Sequence, residues 1–162
     1  PFLAALFLSL AIAGGIAWFV GFPILRLRGD YFGLAMLGFA EILRKVFLNE
    51  AWLTRGPMGI PGIPRPAFLG WKIHTLPGFA IAYGIGVILA YLTLYHILRS
   101  PLGRVFHAIR DDEFSASAIG KDTFRLRRVS LLLGTLLAAL GGVFWAHYIT
   151  FISPSDFTLN ET

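Results

Sequence analysis

The run PFLAALFLSLAIAGGIAWFVGFPIL, Pro1 to Leu25, contains no charged residue. Wound as an α-helix it is roughly 37 Å long, enough to cross a hydrocarbon layer of about 30 Å with some tilt. A signal peptide would show a basic start and a shorter apolar centre, and neither is present. Two more runs read the same way. Gly78 to Leu98 carries no formal charge apart from a titratable His96, and Val129 to Ile152 is again uncharged. Of the 162 residues 56% are hydrophobic and 14% charged, where a soluble domain carries about a quarter charged residues. Mean hydropathy is +0.71. The expected class is an all-α, polytopic transmembrane helix bundle.

The segments between these runs set the organisation. Tyr31 to Leu48 is mostly apolar but holds Glu41, Arg44 and Lys45; at roughly 27 Å it fits a second span or a re-entrant or interfacial helix. Asn49 to Pro77 is broken by Gly56, Pro57, Gly59, Pro61, Gly62, Pro64 and Pro66, which no continuous helix accommodates. Arg99 to Arg128 is the most polar stretch, with seven basic residues between two spans. Basic residues close to membrane ends collect on the cytoplasmic side. The expected layout is therefore spans near 1–25, 31–48, 78–98 and 129–152, an outer loop at 49–77 and a helical cytoplasmic loop at 99–128. Arg55, Arg65 and Lys72 in the outer loop weigh against this, although long loops obey the rule less strictly.

Small residues recur every four positions in three spans: Ala5, Ser9, Ala13, Ala17 and Gly21; Gly78, Ala82, Gly86 and Ala90; Gly134, Ala138 and Gly142. Such stripes let helices approach closely in lipid. Cysteine is absent, which excludes disulfides, thiolate nucleophiles and cysteine metal ligands. The net charge of +5 reads as basic loops at a membrane, with no nucleic-acid-binding pattern.

In the polar stretch, Ser100 is expected to cap a helix that starts at Pro101. Leu102, Phe106 and Ile109 give it an apolar face, and Arg104, Arg110, Asp111 and Asp112 a polar one. Glu113, Ala116 and Ala118 follow, then a turn at Gly120, and Asp122 or Thr123 is placed to cap the helix that re-enters the membrane. Two readings remain open: an element that receives a partner's motion, or a solvated connector.

Three motifs then bring in a resemblance. Arg28-Gly-Asp-Tyr-Phe-Gly-Leu-Ala-Met-Leu-Gly-Phe-Ala-Glu-Ile-Leu-Arg44, Leu53-Thr-Arg-Gly-Pro-Met-Gly-Ile60 with Gly62-Ile-Pro64, and Ser100-Pro-Leu-Gly-Arg-Val-Phe-His-Ala-Ile-Arg-Asp-Asp-Glu113 resemble successive signatures of the LivM-type permease of branched-chain amino acid ABC transporters. Ala116 to Gly120, Ala146-His-Tyr148 and Ser153-Pro154 continue it. The resemblance implies a multi-pass permease of the bacterial inner membrane that moves substrate by alternating access. Its implied partners are two cytoplasmic ABC ATPases, a second related permease subunit, a periplasmic or other extracytoplasmic substrate-binding protein, and membrane lipid. It implies that the chain is a piece of a longer subunit. It also implies an ATPase-docking loop containing Arg104, Ala108, Arg110, Asp111, Asp112, Glu113, Ala116 and Gly120. The strict Glu-Ala-Ala triplet of other importers is absent, since Phe114 and Ser115 follow Glu113.

No G-x-x-x-x-G-K-[ST] loop occurs, so ATP hydrolysis is expected in other subunits, and no cofactor or metal is expected here. Glu41, Thr54 and Gly56 are candidate pathway residues, because an intramembrane carboxylate normally faces protein or a wet cavity. An ion pair of Glu41 with Arg44 or Lys45 is the competing reading, and an ordinary outer loop the competing reading of Thr54 to Ile63. A permease for urea or short amides fits the same pattern. Two rivals come from other classes. An intramembrane enzyme would use His96, His107, His147 or the Asp111, Asp112 and Glu113 cluster, and a secondary transporter would need a coupling-ion site that the uncharged spans do not offer.

Overall fold

The computed structural model describes residues 2–27, 30–65, 67–68, 71–72 and 76–157. Its helices are α1 (Phe2–Ile24), α2 (Asp30–Asn49), the single turn α3 (Ala51–Thr54), α4 (Leu76–Arg99), α5 (Pro101–Asp111), α6 (Glu113–Ala118) and α7 (Thr123–Ile149). Four two-residue strands, β1 (Ile60–Pro61), β2 (Ala67–Phe68), β3 (Trp71–Lys72) and β4 (Phe151–Ile152), and two 3₁₀ turns complete the described chain. Among the described residues α1, α4 and α7 are long and apolar enough to cross a membrane. The molecule is an all-α membrane helix bundle. Helix α2 has comparable length, 20 residues, but carries Glu41, Arg44 and Lys45.

Aromatic and small residues set the packing. At the start of α1, the Phe2 ring meets Phe144 at 5.7 Å between centroids and stands edge-on to His147 at 4.9 Å. At the other end of α1, a Cβ on Gly21 would lie 2.9 Å from Leu131 Cδ2. Helices α1 and α7 therefore run antiparallel over most of their length. Helix α4 enters beside the end of α7, with Tyr83 edge-on to Phe144 at 5.5 Å and Gly86 under the same ring. In lipid, where burial of apolar surface gives little driving force, such close van der Waals fits carry helix association.

The small-residue stripes play unequal parts. Gly21 and Gly86 are close-approach points, as the spacing suggests. On α7, by contrast, Gly134, Ala138 and Gly142 are exposed, because that helix meets α1 through Leu131, Val143, Phe144 and His147. A helix has several faces, and spacing alone does not say which one is used.

At the end where α1 and α4 begin, the segment after α7 is pinned to the loop after α3. Strands β1 and β4 pair antiparallel, Ile60 with Ile152 and Pro61 with Phe151. The N–H groups of Gly62 and Ile63 both donate to the Thr150 carbonyl at 3.1 Å. Ser153 donates its hydroxyl to the Pro57 carbonyl at 3.3 Å. Gly59 makes this approach possible: it has φ +66° and ψ −175°, and a Cβ there would lie 2.5 Å from the Ile152 carbonyl oxygen. That backbone region is open essentially to glycine alone.

Gly59→Ala is expected to strain or break the β1–β4 junction at a cost of about 1–3 kcal/mol. Thermal unfolding in detergent checks it: a lowered Tm is expected, and an unchanged one contradicts the account.

Candidate functional site

The link between α4 and α7 is built from two short helices joined at sharp corners. Helix α5 begins at Pro101, as the sequence suggests, but Ser100 does not cap it. Its hydroxyl instead donates back to the Ile97 carbonyl at 2.6 Å, which also accepts the Ser100 N–H at 3.1 Å. The corner is so tight that a Cβ on Gly103 would lie 1.9 Å from the Leu98 carbonyl oxygen. Gly103 is buried, whereas Arg104, Ala108, Arg110 and Asp111 are exposed. Helix α5 thus keeps an outward polar face.

Helical spacing puts Asp111 and Asp112 on the polar face of one helix; the structure ends that helix at Asp111 and breaks the chain at Asp112, with φ −155° and ψ 107°. The reason is local chemistry, since an aspartate carboxylate competes well for free backbone amides. Asp112 accepts from the N–H of Phe114 at 2.8 Å and of Ser115 at 3.2 Å, and from the Ser115 hydroxyl at 2.5 Å. These bonds hold its carboxyl below the usual aspartate range, the Ser115 hydroxyl contributing most. Helix α6 ends where Gly120 takes φ +81°. The N–H groups of Gly120 and Lys121 donate to the carbonyls of Ser117 and Ala116, which is the Schellman arrangement. Asp122 then caps α7 by accepting from the Arg125 N–H at 2.9 Å.

Glu113 and Arg127 hold this element on the bundle. The Arg127 Nη1 lies 3.1 Å from Glu113 Oε1, with both side chains two-thirds or more buried. Its Nη2 donates to the Leu27 carbonyl just past α1, at 3.4 Å. One guanidinium therefore ties α6, α7 and the end of α1 together. Its neighbour Arg128 stacks over Trp18 at 3.8 Å and donates to the Trp18 carbonyl at 3.3 Å. Ala116 is buried beneath the same corner, whereas Phe114 and Ile119 are 68% and 78% exposed. The Glu113–Arg127 pair was not legible in the sequence: 14 residues separate the two, outside any helical spacing.

A second site lies at the opposite end. Glu41, Leu43, Arg44 and Phe47 of α2, Thr54 of α3, Ile60, Ile152, Pro154 and Phe157 wall a cavity of about 440 Å³. Glu41 pairs with Arg44, Oε2 taking Nε at 2.9 Å and Oε1 taking Nη2 at 2.6 Å. Of the candidate pathway residues, Glu41 and Thr54 share this cavity. Gly56 stands behind it, donating its N–H to the Thr54 hydroxyl oxygen at 3.3 Å. The Thr54 hydroxyl in turn donates to the Phe47 carbonyl, so α3 folds back onto α2. Ile152, Pro154 and Phe157 come from beyond α7, and nothing local in the sequence joins them to Glu41.

The histidines behave differently. His96 and His147 each donate Nδ1–H to the carbonyl four residues earlier, at 2.9 and 2.8 Å, which ties them to their own helices.

Comparison with known proteins agrees with this architecture. The family described as "Branched-chain amino acid transport system / permease component" matches residues 1–162. The high-affinity branched-chain amino acid transport system permease protein LivM of Escherichia coli (strain K12) is 32% identical, over 93% of this chain and 41% of its own length. A probable branched-chain amino acid transport permease protein LivM of Methanocaldococcus jannaschii is 28% identical over 94% of this chain and 45% of its own. The autoinducer 2 import system permease protein LsrC of Salmonella typhi is 28% identical over 74% of this chain. The chain thus spans less than half the length of these relatives. No solved structure matches it at a significant level.

A carboxyl whose pKa is lowered in the folded chain adds stability above its unfolded pKa and loses it as pH falls through the folded value. Asp112→Ala is therefore expected to speed amide exchange across α6 severalfold at neutral pH. The difference from the parent protein should vanish at pH well below the aspartate range. Equal exchange of the two proteins at pH 7 would show that the cap does not hold α6.

Proposed function

The chain belongs to the branched-chain amino acid transport system permease family, and from that membership we propose that it forms part of the membrane path of an ATP-driven importer of branched-chain amino acids. On this reading α5 and α6 receive cytoplasmic ATPases, and substrate moves by alternating access of the surrounding helices. A second permease subunit completes the path, and a substrate-binding protein delivers cargo at the opposite end. The membrane is the bacterial inner membrane.

The observation that carries the proposal is the α5–α6 element: a compact helical corner between two membrane-length helices, clasped to the bundle by Glu113 and Arg127. The charge distribution supports its cytoplasmic placement. Arg26, Arg99, Arg125, Arg127 and Arg128 share its end of the bundle, and clustered basic residues near spans mark the cytoplasmic face. The element is a firm handle rather than a solvated tether, since both helices are capped or cornered and Ala116 is buried. Within the docking loop, Arg104, Ala108, Arg110 and Asp111 present a surface to the partner, with Phe114 and Ile119 as exposed apolar knobs. Asp112 and Gly120 shape the corner, and Glu113 passes the partner's displacement to α7 and α1 through Arg127. Branched-chain amino acids are the cargo named for the family and for the relatives alike over nine-tenths of this chain, which favours them over urea or short amides.

The test uses the full-length permease reconstituted with its ATPases, partner permease and binding protein in lipid vesicles. Glu113→Ala is expected to lower leucine-stimulated ATP hydrolysis about tenfold, within the usual range of coupling energies. The exchange Glu113→Arg with Arg127→Glu should recover most of it. Wild-type stimulation in Glu113→Ala would remove the pair from the coupling route, and leucine-independent hydrolysis in the unaltered complex would remove the cargo assignment.

A further inference from the structure

The cavity between α2 and the segment after α7 combines two features that a solvated surface pair lacks. Its walls are apolar apart from Glu41, Arg44 and Thr54: Leu43, Phe47, Ile60, Ile152, Pro154 and Phe157 supply most of the rest. The ion pair set into that wall is also only partly used. Among the described residues, Arg44 spends two of the five donors of a guanidinium on Glu41, and each Glu41 oxygen accepts a single bond of the two it can take. The side chains are 22% and 29% exposed, so the spare donors and acceptors stay within reach of the cavity.

From this geometry we infer that the Glu41–Arg44 cavity binds a neutral aliphatic α-amino acid in its zwitterionic form. The ligand's ammonium donates to the free acceptor positions of Glu41, and its carboxylate accepts from the free N–H groups of Arg44. Its side chain lies against Phe47, Ile152 and Phe157. Two antiparallel ion pairs then sit side by side, every charge has an opposite neighbour, and the cavity gains no net charge. The volume of about 440 Å³ lies within the roughly 300–1,000 Å³ of small-molecule sites.

Selectivity follows from the same balance. An amino acid with a charged side chain brings a third charge against a wall whose ionic groups, among the described residues, are Glu41 and Arg44, and an unpaired charge in apolar surroundings is strongly disfavoured. The cavity therefore discriminates by charge as well as by shape, independently of any selection by a separate binding protein. The inference rests on the amino-acid permease reading above.

The test is ligand protection in the full-length permease complex in nanodiscs, with Phe47→Cys as the only cysteine. Leucine is expected to slow alkylation of this cysteine severalfold, while lysine and glutamate leave the rate unchanged. Adding Glu41→Gln should abolish protection without altering the rate in the absence of ligand, and Glu41→Asp should restore part of it. Failure of leucine to protect, or equal protection by lysine or glutamate, in a complex that still imports leucine would overturn this site and leave the permease reading intact. Absence of leucine uptake by the unaltered complex would overturn both.

Discussion

Arg127 stands where a lipid-compatible helix must accept a charge, and much of the architecture at that end follows from how the charge is satisfied. Helix α7 is apolar through most of its length but begins with Arg125, Arg127 and Arg128. A guanidinium close to hydrocarbon needs partners, because an unpaired charge there costs several kcal/mol. Arg127 finds them in Glu113 and the Leu27 carbonyl, and Arg128 in the Trp18 ring and carbonyl. Meeting this requirement joins the start of α7, the end of α1 and the short helix α6 into one unit.

That unit gives the two ends of the bundle different mechanical characters. At the α5–α6 end, corners are set by side-chain chemistry at single points: the Ser100 hydroxyl turned back on α4, the Asp112 carboxylate on three donors, and Gly120 in its left-handed turn. At the other end, two-residue strands and backbone bonds to Thr150 connect segments about 90 residues apart in sequence. Between them α1 and α7 pack tightly as antiparallel partners. Contacts thus run from α6 through Glu113 and Arg127 to α7 and the end of α1, and the end of α7 leads into the wall of the Glu41 cavity through β4.

The long uncharged runs were legible as helices because only helices and closed barrels satisfy the backbone in lipid, and a continuous apolar run of about 20 residues fits the helix. The start of α5 at Pro101 and the capping of α7 by Asp122 were legible for the same local reason, in that they depend on residues within one turn. What escaped depends on distance. Glu113 meets Arg127 only after the Gly120 turn reverses the chain, and Ile152 and Phe157 meet Glu41 only after α7 has crossed the bundle. The break at Asp112 lay within reach, since an aspartate three residues before a serine is a recognisable cap, but the surrounding helical periodicity masked it. The glycines of the second and third motifs acquire their meaning only from contacts: Gly59 lies against the Ile152 carbonyl and Gly103 against that of Leu98.

The proposed function requires the α5–α6 corner to lie on the cytoplasmic face, where energy-supplying subunits could reach it, and one labelling measurement addresses that placement directly. With Ser117→Cys as the sole cysteine of the full-length permease, a membrane-impermeant maleimide should label inside-out vesicles and leave intact cells unlabelled. Labelling of intact cells would put α6 on the outer face and contradict the account at its base.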